Sequence, residues 1–402
     1  MQMSIRLASR LDRVKPSITL AVTQKAAEMR AKGVDIISFG AGEPDFATPE
    51  HIRAQAIETL QAGGASKYPA VSGIPPLLDA IKKVTAEVHG MELGAGQILV
   101  SAGAKHSLFN LFLALLDPGD EVIIPSPFWV SYPEMVRLAG AEAVLLPPRP
   151  DTGFDLDPDA LRAAITPNTR AIILNSPSNP TGAVYDQKLL QEIADICVEN
   201  DILIIADDIY RQLVYGDTKY VSIASLGEEV ASRTILIDGV SKSYAMTGWR
   251  IGWTVGPPEI IKGMTKIQGQ STSGANHLAQ IAAVEALLGP QECVAEMRKS
   301  FDARRLRMVE LLRAIEGVDC EMPNGAFYAF PKIAAFLGKK TPDGTTIEND
   351  VELASYLVEN GVALVPGSGF GCPGFARLSY ACSMEDIEKG IARLSESLGA
   401  LH

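Results

Sequence analysis

A lysine and an arginine eight residues apart are the first residues in this 402-residue sequence whose spacing could support chemistry. Lys242 and Arg250 lie in DGVSKSYAMTGWRIG, directly after a predicted buried strand. A lysine in such a loop is most often solvated, but here small and apolar residues surround it and a second cation follows. A deprotonated lysine can attack an aldehyde, whereas the planar arginine fork can hold two phosphate oxygens. The pair indicates a Schiff-base lysine beside a phosphate clamp.

Two aspartates follow another predicted strand, in the segment DILIIADDIY. Asp207 and Asp208 fit an ordinary helix N-cap, because aspartate side chains accept hydrogen bonds from the first backbone amides of a helix. They also fit a carboxylate held against a protonated ring nitrogen, which keeps a pyridinium able to accept electrons from a carbanion. Tyr210, three residues after Asp207, could face the same site.

Three more segments at predicted strand ends have both an ordinary and a chemical interpretation. NSPSNPTG contains Asn179 and reads as a loop, but its amides could donate to a phenolate oxygen. SAGAKHSLFNLF, at 101–112, is a small-residue turn that opens a helix, and free amides at a helix start can hold a phosphate. In PSPFWVSYPE, Phe128 and Trp129 are expected in the core, although one of them could stack on a flat cofactor.

Short apolar runs alternate with amphipathic stretches along most of the chain, which predicts an α/β fold with a mainly parallel sheet. The predicted strands are Gln97 to Val100, Glu121 to Ile124, Ala171 to Leu174, Ile202 to Ala206 and Thr234 to Ile237. Ligands of such sheets bind beyond the carboxyl ends of the strands. The last hundred residues predict a second, smaller domain, with a helix near 298–314, strands near 326–330 and 362–365, and a helix from Met384.

The composition excludes several other classes of protein. A net charge of −12 opposes binding to nucleic acid or to an anionic membrane. No apolar run reaches the roughly 18 residues of a membrane span, and charges interrupt the N-terminal segment, so we expect a cytoplasmic protein. The five cysteines contain no CxxC pair and the five histidines are dispersed, which indicates neither a disulfide framework nor a metal site.

One glycine-rich motif matches a nucleotide-binding signature in form only. GFGCPG, at 369–374, formally matches the dinucleotide signature GxGxxG, but Pro373 interrupts it and the following FARLSYA looks extended. A true fingerprint follows a strand and opens a helix. We therefore reject a nicotinamide site.

Taken together, the motifs resemble those of fold-type I pyridoxal-phosphate enzymes, and specifically class I aminotransferases of the aspartate aminotransferase subgroup Ib. They are, in order, KPSIT near residue 15, AGEPDFATP, KYPAVSG, NPTG, DDIY, SKSYAMTGWRIG and RLSYA, and they span nearly the whole chain. The resemblance implies a large domain at 50–295, with a mainly parallel seven-stranded sheet flanked by helices. It also implies a smaller α/β domain made of 1–49 and 296–402.

The resemblance implies pyridoxal 5'-phosphate as cofactor and assigns residues to each of its parts. Lys242 would carry the cofactor and move the proton during catalysis. The ring would contact Asp207 at its nitrogen, Tyr210 and Asn179 at its oxygen, and Trp129 at its face. The phosphate would contact Arg250, Ser241, the amides around Gly103 and Ala104, and Tyr68 from the other subunit of a homodimer with shared sites. Gly239 departs from many relatives, which have a phosphate-binding serine three residues before the lysine.

The resemblance also implies the substrates. The side chain of Arg377 matches the arginine that grips the α-carboxylate. The remaining implied substrate contacts are Gly42, Lys105, Trp129, Asn175, Asn179, Ser17 and Thr19. No arginine occurs from Ile251 to Met297, where aspartate aminotransferases of the other subgroup have the arginine for the second carboxylate. In subgroup Ib that task falls to Lys105, Ser17 and Thr19.

We therefore expect transfer of the amino group from aspartate to 2-oxoglutarate, giving oxaloacetate and glutamate, with prephenate to arogenate as a candidate second activity. Three alternatives stay open at this point. They are an aromatic or alanine aminotransferase, a lyase or cyclopropane-carboxylate synthase of the same fold, and a non-catalytic regulator that binds the cofactor.

Overall fold

The computed structural model describes residues 6–16, 18–149 and 152–402 of the chain. The strands among these residues are β1 (Ile37–Ser38), β2 (Ile98–Ser101), β3 (Glu121–Pro125), β4 (Glu142–Leu146), β5 (Thr169–Asn175), β6 (Leu203–Asp207), β7 (Thr234–Gly239), β8 (Gly252–Val255), β9 (Tyr328–Ala329), β10 (Val362–Ala363), β11 (Val365–Pro366) and β12 (Ala376–Ser379). The α-helices are α1 (Ile18–Ala31), α2 (Glu50–Gln61), α3 (Pro75–His89), α4 (Ala104–Leu115), α5 (Ser131–Ala139), α6 (Pro158–Ala164), α7 (Gln187–Glu199), α8 (Glu228–Ser232), α9 (Pro258–Ser271), α10 (His277–Leu288), α11 (Glu292–Arg313), α12 (Asp350–Glu359) and α13 (Met384–Gly399).

A seven-stranded sheet in the order β2-β8-β7-β6-β5-β3-β4 forms the frame of the fold. Its neighbours pair in parallel except around β8, which is antiparallel to both β2 and β7. The predicted α/β fold with a mainly parallel sheet is confirmed, and all five predicted strands are present. Two strands of the seven-stranded sheet were not predicted from the sequence. The edge strand β4 is largely accessible to solvent, and β8 lies within a glycine-rich motif.

Alternating strand residues face two layers of helices. In β5, Ile172 and Leu174 pack in one hydrophobic cluster, and Ala171 and Ile173 pack in another. The first cluster includes buried residues of α2, α3, α7 and α10, and the second includes those of α4, α5 and α9. Because successive side chains of a strand point to opposite faces, near-continuous apolar strands such as ILIIA fill both layers.

A second region is built on two small sheets. In one, β1 pairs in parallel with β10, and in the other β12 lies between β11 and β9 with antiparallel pairing. Buried residues of α11, α12 and α13 cover these strands. The predicted boundary at 295 falls inside α11, where Val294 packs with the large sheet and Met297 with the second region. The domain limits at 50 and 295 stay a prediction.

Residues before α1 contact the large-sheet region. Arg13 lies in a short 3-10 helix and forms an ion pair of 2.7 Å with Glu142 of β4. The backbone N–H of Lys15 donates to Glu134 of α5 at 2.8 Å. The helix α1, by contrast, contacts β10 and β11 of the second region.

The segment GFGCPG leads into strand β12 of the small antiparallel sheet, not into a helix. It therefore lacks the strand-turn-helix context of a dinucleotide site. Over the described part of the chain, no helix has the length and apolar character needed to span a bilayer.

Candidate active site

A cavity of about 690 Å³ lies at the carboxyl ends of the central strands. It brings together most of the predicted site residues, which are Gly42, Ala104, Lys105, Trp129, Asn175, Asn179, Asp207, Tyr210, Ser241, Lys242, Arg250 and Arg377. Its wall also contains Glu43, Val130, Ser131, Tyr132, Ile209, Thr247, Gly248 and Tyr328. Both the large sheet and the second region therefore contribute to one site.

The amine of Lys242 projects from the turn after β7 and donates to the Gly42 carbonyl at 2.5 Å. Burial lowers the pKa of Lys242 to about 8, because desolvation disfavours the charged amine. The nearby carboxylate of Glu43 opposes this shift, and the Thr247 hydroxyl donates to that carboxylate at 2.8 Å. A lysine with such a pKa can exchange a proton near neutral pH.

The two adjacent aspartates lie on opposite faces of the sheet. Asp207 ends β6 on the α5 side, where the Tyr132 hydroxyl donates to its carboxylate at 2.5 Å. Burial raises the pKa of Asp207 to about 6, while the Tyr132 hydrogen bond lowers it. Asp208 turns to the other face, where its carboxylate lies 3.9 Å from His89 of α3. Only Asp207 lines the cavity.

Asparagine side chains link the ends of β5 and β6 to β12. The Asn175 amide donates to the Asp207 carbonyl at 2.8 Å, and its oxygen accepts from the Asn179 N–H at 2.8 Å. The Asn179 oxygen then accepts from Nη1 of Arg377 at 2.9 Å. The backbone position of Asp207 is thereby coupled to that of the arginine.

Arg377 is a buried cation with spare donors. It is 2% exposed, and Nη2 donates to the Gly40 carbonyl at 3.0 Å. The carbon of its guanidinium lies 4.6 Å from the ring centre of Tyr328 and 5.1 Å from that of Phe370. Among the described residues, Nε has no hydrogen-bond acceptor. Burial lowers the pKa of Arg377, but arginine stays charged, so a carboxylate entering the cavity would meet an incompletely paired cation.

The turn before α4 meets Arg250. Gly103 has a φ of 93°, and a Cβ there would collide with the Arg250 guanidinium. The N–H of Gly103 already donates to Ser101 at 2.8 Å, so the amides left for a ligand are those of Ala104 and the following residue, in the first helical turn. Arg250 has a φ of 58°, an uncommon conformation for a residue with a side chain, and Nη1 donates to Thr247 at 2.7 Å. Such outliers cluster at functional sites.

The absence of a serine at Gly239 has a steric reason in this chain. A Cβ there would lie 2.9 Å from the Ile251 carbonyl oxygen and 3.2 Å from Cδ1 of Ile209. Any larger residue would require β8 or Ile209 to shift. Ser241, which follows Gly239 by two residues, is buried and lines the cavity.

An aromatic wall and a further cation complete the cavity. The Lys105 amine lies 4.8 Å from the ring centre of Trp129, and burial together with the charge of Arg250 lowers the pKa of Lys105. Trp129 makes an edge contact with Tyr132, with ring centres 5.2 Å apart. A flat ligand would therefore meet an indole on one side and an ammonium at the rim.

Four predicted site residues lie outside the cavity lining or outside the described side chains, and one of them is Gly103 in the turn before α4. Tyr68 is 96% exposed and does not contact the cavity of its own chain. Ser17 is outside the described residues, and Thr19 lies in α1 with its side chain outside what the structure describes. Their neighbour Ile18 packs against the same hydrophobic cluster as Val130, which lines the cavity.

The family model for aminotransferase class I and II matches residues 34–394. The chain belongs to this family. Its curated relatives include the aspartate aminotransferase of Geobacillus stearothermophilus, 46% identical over 98% of this chain and 100% of that protein. They also include the probable aspartate/prephenate aminotransferase of Aquifex aeolicus, 47% identical over 98% of each chain.

Solved structures of aspartate aminotransferases have the same fold. The enzyme from Rhizobium meliloti gives a TM-score of 0.96 at 41% identity, covering 99% of this chain and 100% of that one. The enzyme from Thermus thermophilus with maleate gives 0.91 at 41% identity, covering 98% and 100%. The predictions of a fold-type I architecture and of an aminotransferase are confirmed.

Sequence reasoning missed three aminotransferase cavity residues. Tyr132 lies in the segment PSPFWVSYPE, where the aromatic pair Phe128 and Trp129 was the stronger signal; Trp129 lines the cavity and Phe128 packs in the core. Glu43 was inside AGEPDFATP, where a charged residue between glycine and proline was a usable signal. Tyr328 offered no local signal, because its contacts come from residues more than 40 positions away in the sequence.

Replacing Glu43 with glutamine should lower the pKa of Lys242 below its value of about 8, because the neighbouring negative charge that favours the ammonium form is lost. Competitive acetylation of the cofactor-free protein across about pH 6 to 10, read on the Lys242 peptide by mass spectrometry, measures the midpoint. Low ionic strength keeps screening small.

Glu50→Gln removes the same charge at an exposed position at the start of α2 and should leave the midpoint unchanged. A wild-type midpoint near the ordinary lysine value of about 10.4, or identical midpoints for both variants, would contradict this electrostatic account.

Proposed function

We propose that this aminotransferase uses pyridoxal 5'-phosphate to move the amino group of L-aspartate to 2-oxoglutarate, giving oxaloacetate and L-glutamate. The main support is that one cavity contains Lys242 with its lowered pKa, the buried carboxylate of Asp207 and the buried Arg377. Nε of Arg377 has no hydrogen-bond partner among the described residues. The names of relatives 46–47% identical over almost the whole chain give independent support.

The residues present fit a flat, phosphorylated pyridine aldehyde. The cavity volume of about 690 Å³ is within the range of cofactor sites. The amine of Lys242 would hold the aldehyde carbon, Asp207 the ring nitrogen, Tyr210 and Asn179 the ring oxygen, and Trp129 a ring face. The phosphate would be held by Ser241, Arg250 and the free amides that begin at Ala104, where the start of a helix favours an anion.

When bound, pyridoxal phosphate withdraws the electrons of a carbanion at the substrate α-carbon. Lys242 would remove the proton from the substrate α-carbon and deliver it to the aldehyde-derived carbon of the cofactor, a task for which a pKa near 8 is suited. Asp207, with a pKa of about 6, is mainly ionised at pH 7 and above, so it favours a proton on the ring nitrogen. Tyr132 keeps that carboxylate in its charged form and in place.

Arg377 would bind the α-carboxylate through its free Nε and an adjacent amino group, a fork geometry that lysine cannot match. For the second carboxylate we propose the Lys105 ammonium, helped by Ser17 and Thr19. The enzyme from Thermus thermophilus was solved with maleate, itself a dicarboxylate. A flexible ammonium can follow carboxylates at several distances, so prephenate is a candidate second substrate.

We also propose a homodimer with shared sites. Tyr68 is 96% exposed in the single chain, which is unusual for an aromatic side chain on a closed surface. A second copy that covered it would bring its hydroxyl to the phosphate held near Arg250. A cytoplasmic location stays a prediction from the sequence.

Borohydride reduction of the yellow, cofactor-loaded protein should fix the cofactor irreversibly on Lys242. The reason is that its amine lies in the cavity with Asp207 and Arg377, and its pKa of about 8 leaves it partly deprotonated near neutral pH. Peptide mapping by mass spectrometry identifies the modified residue. An adduct on Lys105, on another lysine or on none would overturn the assignment.

Replacing Lys105 with alanine should lower kcat/KM for aspartate and prephenate far more than for alanine as substrate. A charge-assisted hydrogen bond contributes about 1.5–3 kcal/mol, which corresponds to about a 10- to 150-fold loss confined to dicarboxylates. Glutamate formed from 2-oxoglutarate is the readout. Lys188→Ala, whose side chain is 86% exposed on α7, is the matched control. Equal losses on all three substrates would sink the proposed role of Lys105.

A further inference from the structure

Tyr328 of β9 contacts two of the residues to which the proposed function assigns roles. It is buried and lines the cavity from the second region of the fold. Its hydroxyl lies 2.9 Å from the Tyr210 hydroxyl. The face of its ring lies 4.6 Å from the guanidinium carbon of Arg377. No role for this residue follows from the sequence motifs.

When two hydroxyl groups form one hydrogen bond, one of them donates its proton and the other accepts. The Arg377 cation lies against the Tyr328 ring and lowers the pKa of both phenols, but burial raises the pKa of Tyr210 well above its ordinary value and that of Tyr328 less far. The more acidic hydroxyl is the better donor, and that of Tyr328 has no other hydrogen-bond partner among the described residues. With Tyr328 donating, the proton of Tyr210 is free to be donated into the cavity. A hydroxyl that accepts a hydrogen bond is also a stronger donor.

The ring of Tyr328 contacts the buried guanidinium of Arg377. Arg377 has two hydrogen-bond acceptors among the described residues, Asn179 and Gly40, and both accept from its terminal nitrogens. The rings of Tyr328 and Phe370 present electron-rich faces that attract a cation within about 6 Å. This contact limits the movement of Arg377, whose buried Nε has no hydrogen-bond partner among the described residues.

We propose that Tyr328 is a positioning residue with two separable parts: its hydroxyl donates to Tyr210 and orients that hydroxyl toward the cofactor oxygen, and its ring holds the Arg377 guanidinium for the substrate carboxylate. The inference rests on the proposed function, because it needs Tyr210 and Arg377 in those roles. The two parts act on different ligands, so different substitutions should separate them.

The test compares Tyr328→Phe and Tyr328→Leu with the wild-type holoenzyme by two measurements. One is the pH midpoint of the visible absorption, which falls when a donor stabilises the deprotonated ring oxygen. The other is the dissociation constant of succinate, an unreactive dicarboxylate, measured by calorimetry. The charged neighbours of Tyr210, which are Asp207, Lys242 and Arg377, are unchanged in both variants.

For Tyr328→Phe we expect the midpoint to rise by about half a pH unit or more, because one hydrogen bond is lost, while succinate binding stays within about two-fold. Tyr328→Leu should raise the midpoint similarly and weaken succinate binding by about 3- to 30-fold, since the ring is also lost. Tyr380→Phe is the matched control, because that buried hydroxyl bonds the Ala326 carbonyl at 3.3 Å and should affect neither measurement.

An unchanged or lowered midpoint in Tyr328→Phe would overturn the donor role, and equal weakening of succinate binding by both variants would overturn the role of the ring. If Tyr328→Leu does not fold, Tyr328→Met tests the ring with an unbranched side chain. A wild-type protein with no visible absorption and no aspartate turnover would instead refute the proposed function itself.

Discussion

Incomplete pairing of buried charges is the physical constraint on which this site depends. Asp207 and Arg377 are almost fully buried, and the amine of Lys242 is enclosed enough for desolvation to lower its pKa to about 8. Burial of a charge without full compensation is costly, and proteins retain such groups mainly at functional sites. A cofactor with a cationic ring nitrogen and a substrate with a carboxylate would offset these costs in place of protein partners.

The sheet explains how these charges come together. Asp207 follows Ala206 in β6, so strand alternation turns its side chain toward α5 and Tyr132, while the side-chain amide of Asn175 donates to its carbonyl. The second region supplies the opposite wall, because Gly42 accepts from Lys242 and β12 carries Arg377. Any change that separates the two regions would therefore break the site without altering either sheet.

Local sequence patterns were sufficient for the fold and for much of the cavity. The spacing of Lys242 and Arg250 and the polar residues after each strand identified side chains that the parallel sheet brings to one edge. Residues defined by tertiary contacts could not be found in this way. Tyr328 lies 118 positions from Tyr210, and Tyr132 lies 75 positions from Asp207, so no local pattern indicates either contact. Backbone detail was equally hidden, since the Gly103 amide is used within its own turn.

If one cavity carries out transamination at Lys242, the first half of the reaction should run by itself, without an amino-group acceptor. The cofactor-loaded protein, freed of excess cofactor, is mixed with aspartate in the absence of any 2-oxo acid, and oxaloacetate and visible absorption are followed together. We expect the visible band to disappear while about one oxaloacetate forms per subunit. Adding 2-oxoglutarate should then restore the band and release about one glutamate per subunit, as a two-step transfer requires. Continuous release of product and ammonia without a 2-oxo acid would contradict it and indicate an elimination, and an unchanged band would contradict it outright.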